Sequence, residues 1–223
     1  MVSSRQRDVE LSATVQAVPI VPCDPILKAV YEIVSTIGAD ILAKPCAHPP
    51  CGTQGCFEHS SGWKERIFPE LKSRLTSQNV EAFFSPPKEF MLDFILLEAE
   101  RNTTPGKREN QPKNIVRALL GLEMEWAVGV DDAGLEDDFN KLLCFNAALK
   151  AFIYCCNYHT NAKRRSNFAA SIELRLQRFA ERNASTQEQY LIVEYFKPTG
   201  MASMPTGRQV LIKNGIATGR SLR

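Results

Sequence analysis

The apolar run FMLDFILL, from Phe90 to Leu97, is the feature that most constrains the fold of this chain. It is the longest apolar stretch, yet it is far too short to span a bilayer, and it has the length and composition of a buried strand. Asp93 interrupts it, and a buried carboxylate costs several kcal/mol unless it is paired or coordinated. The fold must therefore bury this strand and give Asp93 a partner.

The composition is that of an ordinary globular protein. The chain has 223 residues, of which 44% are hydrophobic and 23% are charged, enough for one sizeable core. The first residues, MVSSRQRDVELSATV, contain no apolar segment of signal-peptide length. We therefore expect a cytoplasmic protein that has no membrane partner.

The order of periodic segments predicts the fold class. From residue 63 the order is helix, three strands, helix, strand, helix, strand. The three consecutive strands, at 80–84, 89–97 and 115–127, have short or polar connections, which indicates an antiparallel meander. The sequence therefore predicts an α/β protein with a mixed central sheet flanked by helices.

Three segments can be distinguished by their composition. Residues 1–59 form an N-terminal helical segment, whose helix begins at Asp24-Pro25 and is followed by a Cys/His-rich loop. Residues 60–196 form the core domain. Residues 197–223 form a basic, Gly-rich C-terminal tail with one predicted strand at 209–213.

Two further acids lie in the third strand of the meander, in the phrase LLGLEMEWA. Glu123 and Glu125 share one face of the strand, about 7 Å apart. If this strand lies beside the FMLDFILL strand, the two acids and Asp93 cluster and hold a cation, and an all-oxygen cluster favours Mg²⁺ or Mn²⁺. The alternative is that Glu123 and Glu125 face solvent and that Asp93 pairs with a lysine or arginine.

Lys141 lies on the helix that follows, in the phrase DDFNKLL. Its ammonium group is predicted to reach over the sheet edge toward Glu123. The alternative is an ion pair on the helix surface with Asp137 or Asp138, four and three residues before it.

The element order and the phrases KEFMLDF, LEMEW and DDFNKLL resemble the PD-(D/E)xK nuclease superfamily, over about residues 60–196. The resemblance implies a restriction endonuclease-like αβββαβ core. It makes Asp93 and Glu123 metal ligands and puts Glu125 where most members have lysine, so that Lys141 would supply the lysine. Some members add a carboxylate from the preceding helix, here Glu65 or Glu70.

The activity that the resemblance implies is that of an Mg²⁺- or Mn²⁺-dependent endonuclease that hydrolyses phosphodiester bonds of nucleic acid, chiefly DNA, as a homodimer. The catalytic set would be Asp93, Glu123, Glu125 and Lys141. Phosphate contacts would come from the basic run Lys163, Arg164 and Arg165. One alternative is a catalytically inactive, nuclease-like subunit that binds nucleic acid or another partner.

A second metal site is predicted in the loop CAHPPCGTQGCFEH. Thiolates and imidazoles crowded into a Gly/Pro-rich loop can bind a structural zinc ion, although the spacing lacks the usual C-x2-C pair. A zinc-stabilised structural or regulatory protein is therefore a further alternative. The loop could equally be a reduced loop without metal, or contain a redox pair. The four candidate ligands are Cys46, Cys51, Cys56 and His59.

Overall fold

The computed structural model of the protein describes residues 24–43, 60–84, 92–100, 114–127, 133–156, 162–195 and 205–222. In these ranges the chain forms four helices and seven strands. The helices are α1 (Asp24–Ala43), α2 (Ser60–Leu75), α3 (Ala133–Cys144) and α4 (Ala162–Arg182). The strands are β1 (Val80–Phe84), β2 (Phe94–Glu100), β3 (Asn114–Ala127), β4 (Leu149–Cys156), β5 (Gln187–Tyr195), β6 (Thr206–Lys213) and β7 (Ile216–Leu222).

The strands form one mixed sheet, and their order in space is their order along the chain. The first three strands form an antiparallel meander, β3, β4 and β5 are parallel, and β6 and β7 pair antiparallel at the other edge. Helices α3 and α4 make the two crossovers that parallel neighbours require. The predicted α/β class, with a mixed sheet and flanking helices, is confirmed.

Helices cover both faces of the sheet. Helices α1 and α2 pack on one face, where Val34 belongs to the same apolar cluster as Met124 of β3. Helices α3 and α4 pack on the other face, where Phe139 belongs to the same cluster as Phe152 of β4. Side chains alternate along a strand, so β3 directs Met124 toward α1 and α2 and directs Glu123 toward α3. Glu123 thus belongs to the α3 face of the sheet.

Helix α1 is fixed to the sheet through Tyr195 at the end of β5. The hydroxyl of Tyr195 donates a hydrogen bond to the carbonyl of Val34 at 2.5 Å. The Tyr195 ring lies so close to Gly38 that a β-carbon at this position would clash with it. Helix α1 and the sheet therefore share one core.

The C-terminal tail adds two strands to the sheet, whereas the sequence analysis expected only one. Asn214 and Gly215 connect β6 to β7 with φ angles of 52° and 77°. A two-residue hairpin turn needs positive φ at both positions, which Asn-Gly adopts readily. Residues 206–222 are therefore part of the sheet rather than a separate basic tail.

The boundaries of the meander agree closely with the predicted ones for the first and third strands, whereas the second strand both begins and ends later than predicted, at Phe94 and Glu100. The first strand has the predicted bounds, 80–84, and the third begins one residue before the predicted 115. The second begins at Phe94, although the apolar run predicted a start at 89, and Asp93 lies in the bend just before it. None of the described helices is long and apolar enough to cross a membrane.

Candidate functional site

Asp93 lies where β2 begins, and both of its carboxyl oxygens are bonded. Oδ1 accepts a hydrogen bond from Nζ of Lys64 on α2 at 2.8 Å, and Oδ2 accepts one from the backbone N–H of Met124 at 2.9 Å. The ladder between β2 and β3 extends as far as the pair of Phe94 and Leu122. The Asp93 side chain thus serves the next donor on β3, which explains why the strand begins after it.

Glu123 lies on β3 beside Asp93 and is almost fully buried, at 3% exposure. Its Oε1 has no hydrogen-bond partner among the described residues. The pKa of its carboxyl is raised to about 9, and burial of the group is the largest cause. The charges of Asp93 and Asp138 raise this pKa further, as does a hydrogen bond with Asp93, and Lys141 lowers it. Glu123 therefore carries a proton at neutral pH.

Helix α3 brings Asp138 and Lys141 to the same place. The ammonium group of Lys141 donates a hydrogen bond to Asp138 at 2.5 Å, and this ion pair between residues three apart is the alternative that the sequence left open. Both groups are also close enough to Glu123 to change its pKa. The helix is held by Phe139 and Leu142, which are fully buried against the sheet.

The structure assembles a different set of acids from the predicted one. Asp93 and Glu123 are neighbours, as expected, and β2 and β3 are paired. Glu125 is on the same face of β3 as Glu123 but two residues further along the strand, where it pairs with Tyr154 of β4. The second acid whose charge raises the pKa of Glu123 is instead Asp138 of α3. In the described ranges, no three acidic, histidine or cysteine side chains are arranged as a ready set of metal ligands.

We call the resulting group the acidic site. It combines three carboxyl groups, from the start of β2, from β3 and from α3, with two ammonium groups, from α2 and α3. The carboxyl of Asp93 also has the lysine partner that one of the sequence alternatives required, whereas Glu123 is buried and does not face solvent. The members of the acidic site are Asp93, Glu123, Asp138, Lys64 and Lys141.

Lys64 and Asp138 were not predicted to belong to the site, although the sequence carries a signal for both. Lys64 is three and seven residues before Ile67 and Leu71, so it continues the buried stripe of α2. Asp138 is four residues before Leu142 and continues the buried stripe of α3. A charged residue in line with the apolar stripe of a helix points toward the sheet, and these two meet the acidic site there.

Of the remaining predicted site residues, those whose side chains the structure describes take no part in the acidic site. Glu65 and Glu70 are exposed on α2. Of the predicted phosphate contacts, Lys163 is exposed in the first turn of α4, which also contains the backbone of Arg164 and Arg165. The proposed zinc ligands Cys46, Cys51, Cys56 and His59 lie outside the described residues.

No protein-family model matches this sequence, and no curated protein is significantly similar to it. The acidic site must therefore be interpreted from its own chemistry. A buried carboxyl group with an unbonded oxygen and two acidic neighbours can hold a proton or, after losing it, a cation.

Proposed function

We propose that this protein is a metal-dependent hydrolase of phosphodiester bonds that acts on nucleic acid, chiefly DNA. The observation that carries the proposal is Glu123, whose buried carboxyl group has an oxygen without a hydrogen-bond partner in the described part of the chain. A buried polar atom without a partner calls for an explanation, and a bound ion is one such explanation. A ligand that approaches this oxygen would also meet Asp93 and Asp138, whose charges favour a positively charged ligand.

The residues of the acidic site fit a small divalent cation. Their donors are carboxyl oxygens alone, with no sulfur or imidazole among them, and such donors suit Mg²⁺ or Mn²⁺ better than Zn²⁺. Asp93 and Glu123 would hold the ion, and Asp138 would be the third acid. A bound ion supplies an activated water molecule and neutralises charge on the phosphate.

The order of elements supports a nuclease-like core. Helix α2, the meander β1 to β3, helix α3 and strand β4 follow one another as in an αβββαβ core, with β4 parallel to β3. The acids lie at the beginning of the second strand and in the third strand, as the resemblance to PD-(D/E)xK nucleases implies. Glu125 takes the usual place of lysine in that pattern, and a lysine reaches the site from α3 instead.

The basic groups have separate roles in the proposed reaction. Lys141 is 46% exposed, so its ammonium group has room to contact a phosphate while it stays close to Glu123. That contact would stabilise negative charge that develops on the phosphate. Lys163 on α4 is exposed and would bind the nucleic-acid backbone further from the site.

A cleavage assay tests the proposal. Purified protein is incubated with DNA and with RNA in Mg²⁺ or Mn²⁺, and we expect metal-dependent cleavage that a chelator stops. The isosteric changes Glu123→Gln and Asp93→Asn should each abolish cleavage, because each removes a negative charge that holds the cation. Asp137→Asn is the matched control, since Asp137 precedes Asp138 but is exposed, and it should cleave like the wild type.

A second function is favoured by the hydrogen bonds of Asp93. Both of its oxygens already accept hydrogen bonds, from Lys64 and Met124, which leaves them less available to a metal ion. The second candidate is therefore a nuclease-like subunit that binds nucleic acid without cleaving it. In that case the wild type, Asp93→Asn and Glu123→Gln would leave every substrate intact with either ion. The wild type would still bind DNA, with an affinity that falls as salt rises.

A further inference from the structure

Helix α2 inserts one lysine side chain directly into the acidic site. Nζ of Lys64 lies 2.8 Å from Oδ1 of Asp93, and the two side chains are only 19% and 16% exposed. The N–H of Met124 fixes the other oxygen of the same carboxyl group at 2.9 Å. The ion pair is therefore largely withdrawn from water and holds Asp93 in one orientation.

The two lysines of the acidic site are not equivalent. Lys141 is 46% exposed and pairs with Asp138, which lies three residues before it on the same helix. Lys64 comes from a helix on the opposite face of the sheet and pairs with an acid that neighbours Glu123. Of the two lysines, it is therefore Lys64 that connects the α2 layer to the carboxyl groups that the proposed function uses.

Lys64 and a divalent cation would compete for the same carboxyl group. Glu123 offers an unbonded, buried oxygen beside Asp93, so a cation bound to both acids would lie close to the ammonium group. Two positive charges this close repel each other, and the repulsion is strong where water is largely excluded. The ammonium group must then give up its position on Oδ1.

We propose that Lys64 is a positioning residue that serves as the internal cation of the acidic site, and that Mg²⁺ or Mn²⁺ must displace it from Asp93. This inference rests on the proposed function, because it takes the acidic site to be a cation site. Lys64 then sets how tightly the site binds its metal, and it keeps Asp93 oriented when no metal is bound.

Binding of Mn²⁺ to the full chain tests the inference without any measurement of cleavage. Free Mn²⁺ is followed by electron paramagnetic resonance during titration of the wild type, Lys64→Met, Lys64→Arg and the control Lys28→Met. Lys28 is 79% exposed on α1, so Lys28→Met changes the net charge by the same amount as Lys64→Met without removing a charge from the acidic site. We expect Lys64→Met to bind Mn²⁺ about tenfold more tightly than the wild type, because the competitor is gone. Lys64→Arg and Lys28→Met should stay close to the wild type.

Acetylation of lysine amines in the wild type gives a second readout that needs no variant to fold. Without metal, Lys64 should react more slowly than Lys28, and saturating Mn²⁺ should accelerate the reaction of Lys64 alone. Unchanged protection of Lys64 in the presence of bound Mn²⁺ would overturn the inference, as would equal or weaker binding by Lys64→Met. If the wild type cleaves DNA and binds Mn²⁺ but Lys64 stays protected, or Lys64→Met binds Mn²⁺ no more tightly, the proposed function stands and the role of Lys64 fails. If neither the wild type nor Lys64→Met binds Mn²⁺, both fail.

Discussion

Two buried charged groups lie on the same face of the sheet and are built in opposite ways. The first is the lysine cluster, formed by Lys150, Glu188 and Tyr190 where β4 and β5 begin. Nζ of Lys150 is 2.8 Å from a carboxyl oxygen of Glu188 and 3.3 Å from both the Tyr190 hydroxyl and the carbonyl of Leu143. The ammonium group also lies over the rings of Tyr190 and Phe179, at 5.3 and 5.4 Å from their centres. The ammonium group of Lys150 thus has three hydrogen-bond acceptors and two aromatic rings around it.

The second group is the acidic site, where Glu123 has mostly like charges around it. Burial lowers the pKa of Lys150, and Glu188 opposes that change. Burial also raises the pKa of Glu123, but there the charges of Asp93 and Asp138 act in the same direction as burial. Both groups lose hydration, and Lys150 replaces it with several bonds within the protein, whereas Glu123 keeps one carboxyl oxygen unbonded among the described residues. The lysine cluster therefore stabilises its buried charge, whereas ionisation of the buried carboxyl group of Glu123 costs free energy.

The largest effect should come from breaking the lysine cluster. Lys150→Met keeps the length of the side chain but leaves the carboxyl group of Glu188 largely buried without its cation. We expect the free energy of unfolding to fall by about 3–5 kcal/mol, as measured by urea denaturation. Lys213→Met, at an exposed position of β6, should change it by less than about 0.5 kcal/mol. If Lys150→Met lowered the free energy of unfolding no more than Lys213→Met does, the lysine cluster would not stabilise the fold, and its contrast with the acidic site would be lost.

Removing the buried charge of the acidic site should raise the stability of the protein instead of lowering it, and the size of the gain should depend on pH. The folded-state pKa of Glu123, about 9, exceeds the ordinary value of 4.5. The folded chain thus holds a proton that the unfolded chain releases between these values, and stability falls as pH rises through this window. Gln does not titrate, so in chelator Glu123→Gln should be about 2–3 kcal/mol more stable than the wild type at pH 8.

This gain should shrink toward zero near pH 4.5, where Glu123 is protonated in both states. Thermal unfolding of the wild type and Glu123→Gln in matched buffers across the window measures the difference. A gain that is the same at every pH would mean that the glutamine packs better, and that the charge of Glu123 costs nothing.

A smaller effect is expected from the hydroxyl group of the lysine cluster. This hydroxyl donates a hydrogen bond to Glu188 and accepts one from Lys150. Tyr190→Phe keeps the ring under the ammonium group and removes only these two bonds, so we expect a loss of about 1–2 kcal/mol in urea denaturation. The change should not alter the metal dependence of cleavage or of Mn²⁺ binding, because the cluster lies outside the acidic site.

The fold could be predicted from the sequence wherever local periodicity determines it. Helix α1 begins at the predicted residue, because its Asp-Pro start is a local signal. Strand β7 was missed although its Asn-Gly turn is also a local signal. The start of β2 could not be predicted from the apolar run, because the Asp93 side chain replaces the backbone as the partner of Met124.

The acidic site could be predicted only in part, for a different reason. Strand alternation gave the face of Glu123, and adjacency of β2 and β3 gave its neighbour Asp93. Lys64 and Asp138 depend on which helices pass over the ends of those strands, and no local pattern specifies that placement. Their positions in line with buried helical stripes show that they point inward, but not which acid they meet.

The smallest predicted effect concerns the charge that Asp138 adds to the acidic site. Asp138→Asn removes a negative charge near Glu123 and also frees the ammonium group of Lys141, which can then turn toward Glu123. Both consequences favour the ionised form of Glu123, so its pKa should fall from about 9 to about 8. Titration of the Glu123 side-chain carboxyl by NMR measures this directly, with Asp137→Asn as the neighbouring control. An unchanged pKa in Asp138→Asn would mean that burial and Asp93 protonate Glu123, and that α3 contributes nothing to the pKa.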